Sequence, residues 1–151
     1  MTAADDLAMR RALVLAAEAA AASEIPVGAV VVDAEGRIIA EGRNNREETH
    51  DPTGHAEVEA LRRAAASAGS WNLQGHTLVV TLEPCIMCAG AILQARISRV
   101  VFGAWDDKAG AAGSLYDVLR DRRLPYRAEV IGGVEADAAT ALLRAFFEPR
   151  R

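Results

Sequence analysis

Residues 76–95 read HTLVVTLEPCIMCAGAILQA, and the way this stretch folds decides the architecture. "HTLVVTL" (76–82) is too short for a helix and rich in β-branched residues, so it reads as a buried strand. Pro84 follows. Proline is favoured in the first turn of a helix, so a helix is expected to open there and run through "CIMCAGAILQA". A strand passing directly into a helix is the building unit of an α/β sheet.

The rest of the chain extends that unit. Residues 4–22 read as a helix with Asp5 and Asp6 at its start and Pro26 as its stop. "VGAVVVD" (27–33) and "RIIAEG" (37–42) make a hairpin around "AEG". Residues 43–53 are a polar loop closed by Asp-Pro. Gly54 to Ala68 is a helix with Ala56, Ala60, Leu61 and Ala64 along one side. "RVVFGA" (99–104) is a further strand, and "WDDKAGAAG" (105–113) is too glycine-rich for regular structure. Ser114 to Asp117 resembles a capping box opening a short helix. "AEVIGGV" (128–134) reads as a last strand, and "EADAATALLRAFFEPRR" as a closing amphipathic helix that Pro149 terminates. The sum is one α/β domain over residues 1–151, a helix-covered sheet of mixed direction.

The net charge of −4 argues against sequence-blind coating of nucleic acid, which needs a basic field. A local patch is still open. Arg120, Arg122, Arg123 and Arg127, with Arg150 and Arg151, form the candidate; interspersed Asp117, Asp121, Glu129 and Glu148 make the same stretch readable as an ordinary solvated surface. No apolar run reaches the ~20 residues that span a bilayer. Met1 to Glu24 lacks the layout of a signal peptide. With two cysteines and no disulfide framework, the expected location is the cytoplasm.

Those two cysteines, Cys85 and Cys88, stand three apart, on one face of the expected helix. Alone, such a pair reads as readily as core packing or a redox couple as it does as half of a zinc site. Of the three histidines, His55 stands at a helix start in "HAE", as Cys85 does after its own proline. Strand–helix layouts bring helix starts to one sheet edge, where ligands bind. One histidine and two cysteines make three zinc ligands; structural zinc takes four, so the count favours a catalytic site. Glu57, two residues from His55, is a carboxylate beside the metal that need not ligate it, suited to moving protons. For both to face one pocket they must lie at an irregular helix start. HAE followed by P-C-x-x-C is the signature of hydrolytic zinc deaminases.

The chain resembles the bacterial tRNA-specific adenosine deaminases of the TadA family. "EIPVGAVVV", "DPTGHAEVEALR", "TLEPCIMCAGAI", "RISRVVFGAWDDKAGAAGSLYDVL" and "ALLRAFF" carry the resemblance over nearly the whole length. The zinc signature is shared with free-base, nucleotide and riboflavin-pathway deaminases; the segment around 100–114 is the more specific part. The resemblance implies a three-layer α/β/α cytidine deaminase-like fold with a mixed central sheet, one Zn2+ per subunit, and a homodimer. It implies hydrolysis of adenosine to inosine at the wobble position of a tRNA-Arg anticodon stem-loop. It assigns His55, Cys85 and Cys88 as zinc ligands and Glu57 as the proton shuttle. It places Asn44 on the target nucleoside and Val27, Ala56 and Leu82 in the pocket wall. It sets Asp106 and Lys108 against the anticodon backbone and Phe146 near flipped-out bases. Read alone, Asn44 is a turn former, Val27, Ala56, Leu82 and Phe146 are core, and Asp106 and Lys108 are a solvated turn. Trp105 stands where relatives often carry a basic residue, losing a phosphate contact or gaining a stacking surface. Pro149 and the short C-terminus are further departures. The competing expectations are a free-base or nucleoside deaminase acting on guanine or cytosine, a non-catalytic zinc or RNA-binding module, and a redox protein.

Overall fold

The computed structural model describes residues 2–148. Helix α1 (Ala3–Ala21) leads into the hairpin of β1 (Gly28–Val32) and β2 (Ile38–Arg43). A one-turn helix, α2 (Arg46–Thr49), precedes α3 (Ala56–Ala68). Then come β3 (Thr77–Leu82), α4 (Ile86–Gln94), β4 (Arg99–Ala104), β5 (Glu129–Ile131) and α5 (Ala136–Phe147). The strands form one sheet in the order β2-β1-β3-β4-β5. β1 runs antiparallel to both β2 and β3, while β3, β4 and β5 are parallel.

Helices cover both faces, which explains why the central strands are apolar throughout rather than alternating. Ala29, Val31, Leu78, Val80, Val100 and Phe102 pack with α3 and α4. Their neighbours Val30, Val32, Val79 and Val101 pack with α1 on the opposite face, where α5 also lies against β4. Burying each such side chain contributes roughly 1.5–3 kcal/mol relative to exposure. The result is the expected three-layer α/β/α architecture with a mixed sheet. Gly42 sets one critical height: a Cβ there would strike the carbonyl oxygen of Ala56. Its absence lets the first turn of α3 rest directly on β2, and that turn carries His55 and Glu57.

Four local expectations are corrected. α1 ends at Ala21, well before Pro26, because the chain turns at Ser23 with φ 63°. α4 starts at Ile86 with Cys85 as its cap, so Pro84 precedes the cap instead of occupying the first turn. The polar loop 43–53 contains α2, which buries no side chain and so leaves no hydrophobic pattern. Ser114 to Asp117 forms no helix. The Ser114 hydroxyl donates to Glu83 rather than capping, and Asp117 pairs with Ala112 as a β-bridge. Pro149 lies outside the described residues.

A partly buried ion pair fastens α1 to the sheet. Arg99 Nη1 and Nη2 donate to Asp5 Oδ1 and Oδ2 at 2.7 and 2.5 Å, while Asp5 and Thr2 close a capping box. The hydrogen bonds from Arg99, aided by the Thr2 amide, overcome burial and push the Asp5 carboxyl down to about 2 from 3.8. The folded-state value lies below the unfolded one. The ionised carboxylate therefore stabilises the fold above pH ~4, and the contribution disappears as pH falls towards ~2. Asp5→Asn should cost about 2 kcal/mol at neutral pH, with the gap to wild type closing in acid. Urea unfolding across that pH range checks it; a constant gap would assign the loss to something other than the charge.

Candidate metal centre

Two helix starts meet at the edge of β3. His55 is the N-cap of α3 and Cys85 the N-cap of α4, both with extended backbone and neither using its side chain to cap. In α3 the acceptor comes from elsewhere: Asn44 Oδ1 accepts from the Ala56 amide at 2.9 Å, satisfying one of the helix's orphan donors. The imidazole is thereby left to face the sulfurs. His55 Nδ1 lies 3.6 Å from Cys85 Sγ and 3.4 Å from Cys88 Sγ, and all three atoms fall within 4.8 Å of one another.

Those separations match a metal. A tetrahedral zinc with Zn–N ~2.0 Å and Zn–S ~2.3 Å holds its nitrogen and sulfur ligands roughly 3.5 Å apart. Two soft thiols and one imidazole suit that ion. The Cys85 thiol is pushed down to about 4, chiefly by the hydrogen bond from Cys88, with His55 adding to it against burial. Cys88, fully buried, moves up because it donates to Cys85 and because burial opposes its charge. His55 moves up through its bond to Cys85, against burial, with Glu57 assisting.

Glu57 is 4% exposed, at the second position of α3. Burial pushes its carboxyl up to about 7, with its own amide and His55 working in the other direction. The irregular start that His55 and Glu57 require is present: His55 has φ −96° and ψ 149°, outside helical space. The pair therefore straddles the helix start instead of lying two apart within a regular helix.

A cleft of about 530 Å³ opens beside His55. Glu24 and Ile25 line it from the α1–β1 connection, Asn44 and Arg46 from the β2–α2 turn, and Phe146 from α5. The structure thus brings Asn44, His55 and Phe146 to one cavity. It places Val27 and Ala56 in the hydrophobic core, with Leu82 packed against the same core. Asp106 and Lys108 lie on the loop after β4, where Asp106 Oδ1 accepts from the amides of Lys108 and Ala109 in a tight turn. Trp105 folds back edge-on against Phe102, with ring centroids 4.7 Å apart. Two arginines of the patch are paired with acids: Arg120 with Asp117 and Arg123 with Asp121. Arg150 and Arg151 lie outside the described residues.

Two acids escaped the sequence reading. Glu24 and Glu83 are each 2% exposed. Glu24 accepts from the amides of Glu47 and Glu48 at 3.1 and 2.7 Å, fixing the cleft wall that carries Arg46. Glu83 performs a similar role for the loop after β4. Burial opposes its charge, but the amides of Asp106, Ser114 and Ala112 and the Ser114 hydroxyl prevail and lower its carboxyl below the usual range. The available signal was an acid inside an apolar run just ahead of a proline, in "EIP" and "EPC".

Among known families, the cytidine and deoxycytidylate deaminase zinc-binding region matches residues 2–104. The tRNA-specific adenosine deaminase of Haemophilus influenzae is 50% identical over 97% of this chain and 85% of its own length. A tRNA(Ile)-lysidine synthase of Deinococcus radiodurans is 53% identical over 95% of this chain, which spans only 25% of that larger protein. A structure from studies of A-to-I editing by tRNA:A34 deaminases at the wobble position superimposes with a TM-score of 0.87 and 39% identity. It covers 91% of this chain and 99% of that one.

Proposed function

Because the chain belongs to the zinc-dependent cytidine and deoxycytidylate deaminase family, we propose that it hydrolyses adenosine to inosine at the wobble position of a tRNA anticodon stem-loop, that of tRNA-Arg. The observation that carries the chemistry is a three-ligand set, His55, Cys85 and Cys88, beside a buried carboxylate that is not one of the ligands. A structural site would use four ligands and has no need of Glu57. The RNA assignment draws on the 50% identity to the Haemophilus influenzae enzyme and on the wobble-deaminase structure.

His55, Cys85 and Cys88 would hold one zinc ion, which supplies Lewis acidity that makes water nucleophilic near neutral pH. Glu57 takes the proton from the attacking water and delivers it to N1 as oxygen bonds to C6. It then takes the proton of the new C6 hydroxyl and passes it to the amino nitrogen, so that the C6 carbonyl forms as the C6–N bond breaks and ammonia leaves. Asn44 has its Oδ1 occupied by Ala56, so its Nδ2 donors remain to orient the nucleoside. Val27, Ala56 and Leu82 back the base, Phe146 packs near neighbouring flipped bases, and Asp106 and Lys108 meet the RNA backbone. Residues 1–151 act as one deaminase domain in the cytoplasm, as a homodimer. The apolar groove between α3 and α4, which includes Leu61, Trp71 and Ala91, suits a second copy. No helix among the described residues is long and apolar enough to cross a membrane.

Asn44 separates its two duties by substitution. Asn44→Asp keeps an acceptor for Ala56 and should hold stability. Asn44→Ala should lose about 1 kcal/mol of helix capping. Both should lower kcat/KM by roughly 10- to 100-fold through the lost donor. Unfolding curves and steady-state kinetics check this, and wild-type kinetics in both variants would return Asn44 to a turn former.

The substrate assignment is tested with stem-loops carrying adenosine at the wobble position, or only at other loop positions, beside free adenosine and guanine. Conversion confined to the wobble adenosine supports it. Turnover of free guanine with an inert stem-loop would replace it with a free-base deaminase.

A further inference from the structure

Between the end of β4 and Tyr116 the described chain forms neither helix nor named strand, so its backbone donors need partners from elsewhere. Glu83 supplies them. Its Oε1 accepts from the Asp106 amide at 3.0 Å and from the Ser114 hydroxyl. Its Oε2 accepts from the amides of Ala112 and Ser114, both at 3.0 Å. One carboxylate thus gathers both ends of the loop. A carboxylate is the group required, since all its partners donate and an amide would turn N–H groups towards some of them.

The loop is also registered on the metal-bearing turn. The Ala111 amide donates to the Pro84 carbonyl at 2.8 Å, and Gly110 pairs with Cys85 in an isolated antiparallel bridge. Gly110 has no room for a side chain, because a Cβ would run into the Glu83 carboxylate. Glu83 therefore stands next to Pro84 and Cys85 in the chain while fixing the segment that carries Asp106 and Lys108. Lys108 is exposed at its rim.

We propose that Glu83 is a positioning residue: it sets the 106–114 loop against the Pro84–Cys85 turn and so fixes how RNA is held at the mouth of the site. This rests on the RNA-deaminase reading above. Glu83 is not one of the three candidate ligands; it acts through the loop's amides and the Ser114 hydroxyl. If it merely supported the ligand turn, its loss would act on metal content and kcat instead.

Glu83→Gln and Ser114→Ala separate these. The measurements are zinc per chain, amide hydrogen exchange, and KM and kcat on the wobble-adenosine stem-loop. Glu83→Gln should keep its zinc and speed exchange at Asp106, Ala112 and Ser114. It should raise KM by about tenfold or more with kcat within about threefold of wild type, the pattern of lost uniform binding. Ser114→Ala, which removes a single donor, should move KM the same way by less, and it decides the matter if Glu83→Gln does not fold. Unchanged exchange and KM would overturn the proposal, as would zinc and kcat falling together at constant KM. If wild-type protein leaves the stem-loop untouched, the RNA reading has failed; the exchange measurement then still decides whether Glu83 holds the loop.

Discussion

Glu57→Ala will keep its zinc and its fold and lose deamination by on the order of 10³-fold, the scale of a positioned general acid–base group. The reason is its place: 4% exposed, one residue into α3 beyond Ala56, beside the ligands but outside the ligand set. Stability should not fall, because a carboxyl whose ionisation is opposed by burial is a cost to the fold rather than a support. Glu57→Gln, which keeps the volume and loses the proton exchange, should be comparably inactive. Metal analysis, thermal unfolding and single-turnover inosine formation read the three parts separately. A variant with near-normal turnover would remove Glu57 from the chemistry, and a variant without zinc would make it a support of the metal.

Cys88→Ala will lose the metal, the activity and part of the stability together. Cys88 is fully buried, and its Sγ lies 3.4 Å from His55 Nδ1, so no water readily takes its place. A ligand that binds only the folded chain stabilises it by about 4 kcal/mol when its concentration is a thousandfold above Kd. That increment should vanish in the variant. Wild-type protein should melt at a temperature that falls on chelation, and Cys88→Ala should melt lower with no response to chelator. Cys88→Ser controls for volume. Unchanged zinc content in Cys88→Ala would remove this residue from the ligand set.

Much of this arrangement is legible in the sequence. The strands at 76–82 and 99–104 announce themselves as continuous β-branched runs because helices cover both sheet faces. His55 and Cys85 fall at helix starts, the first after a turn at 52–53 and the second after Pro84. What escaped the sequence was long-range partnership. α2 is four residues with no buried side chain, held by Glu24 from 24 positions away. The Ser114 segment carries a local helix-start signal, but the Ser114 hydroxyl and amide are taken by Glu83, 31 positions earlier. A capping pattern describes what neighbours can do for one another; it cannot register a stronger acceptor arriving from a distant part of the chain. The same blindness hid Glu24 and Glu83, whose roles are defined by the amides they collect. Asn44 was readable as turn former or as ligand, and the bond to Ala56 engages only one end of its side chain.

The central claim is that this site replaces an exocyclic amine by oxygen from water on an RNA adenosine. Its most direct test is mass spectrometry of a wobble-adenosine stem-loop incubated with zinc-loaded protein in ¹⁸O-water. The account predicts inosine at that position, one heavy oxygen at C6 and equimolar ammonia. Unchanged adenosine, or inosine without the heavy oxygen, would contradict it.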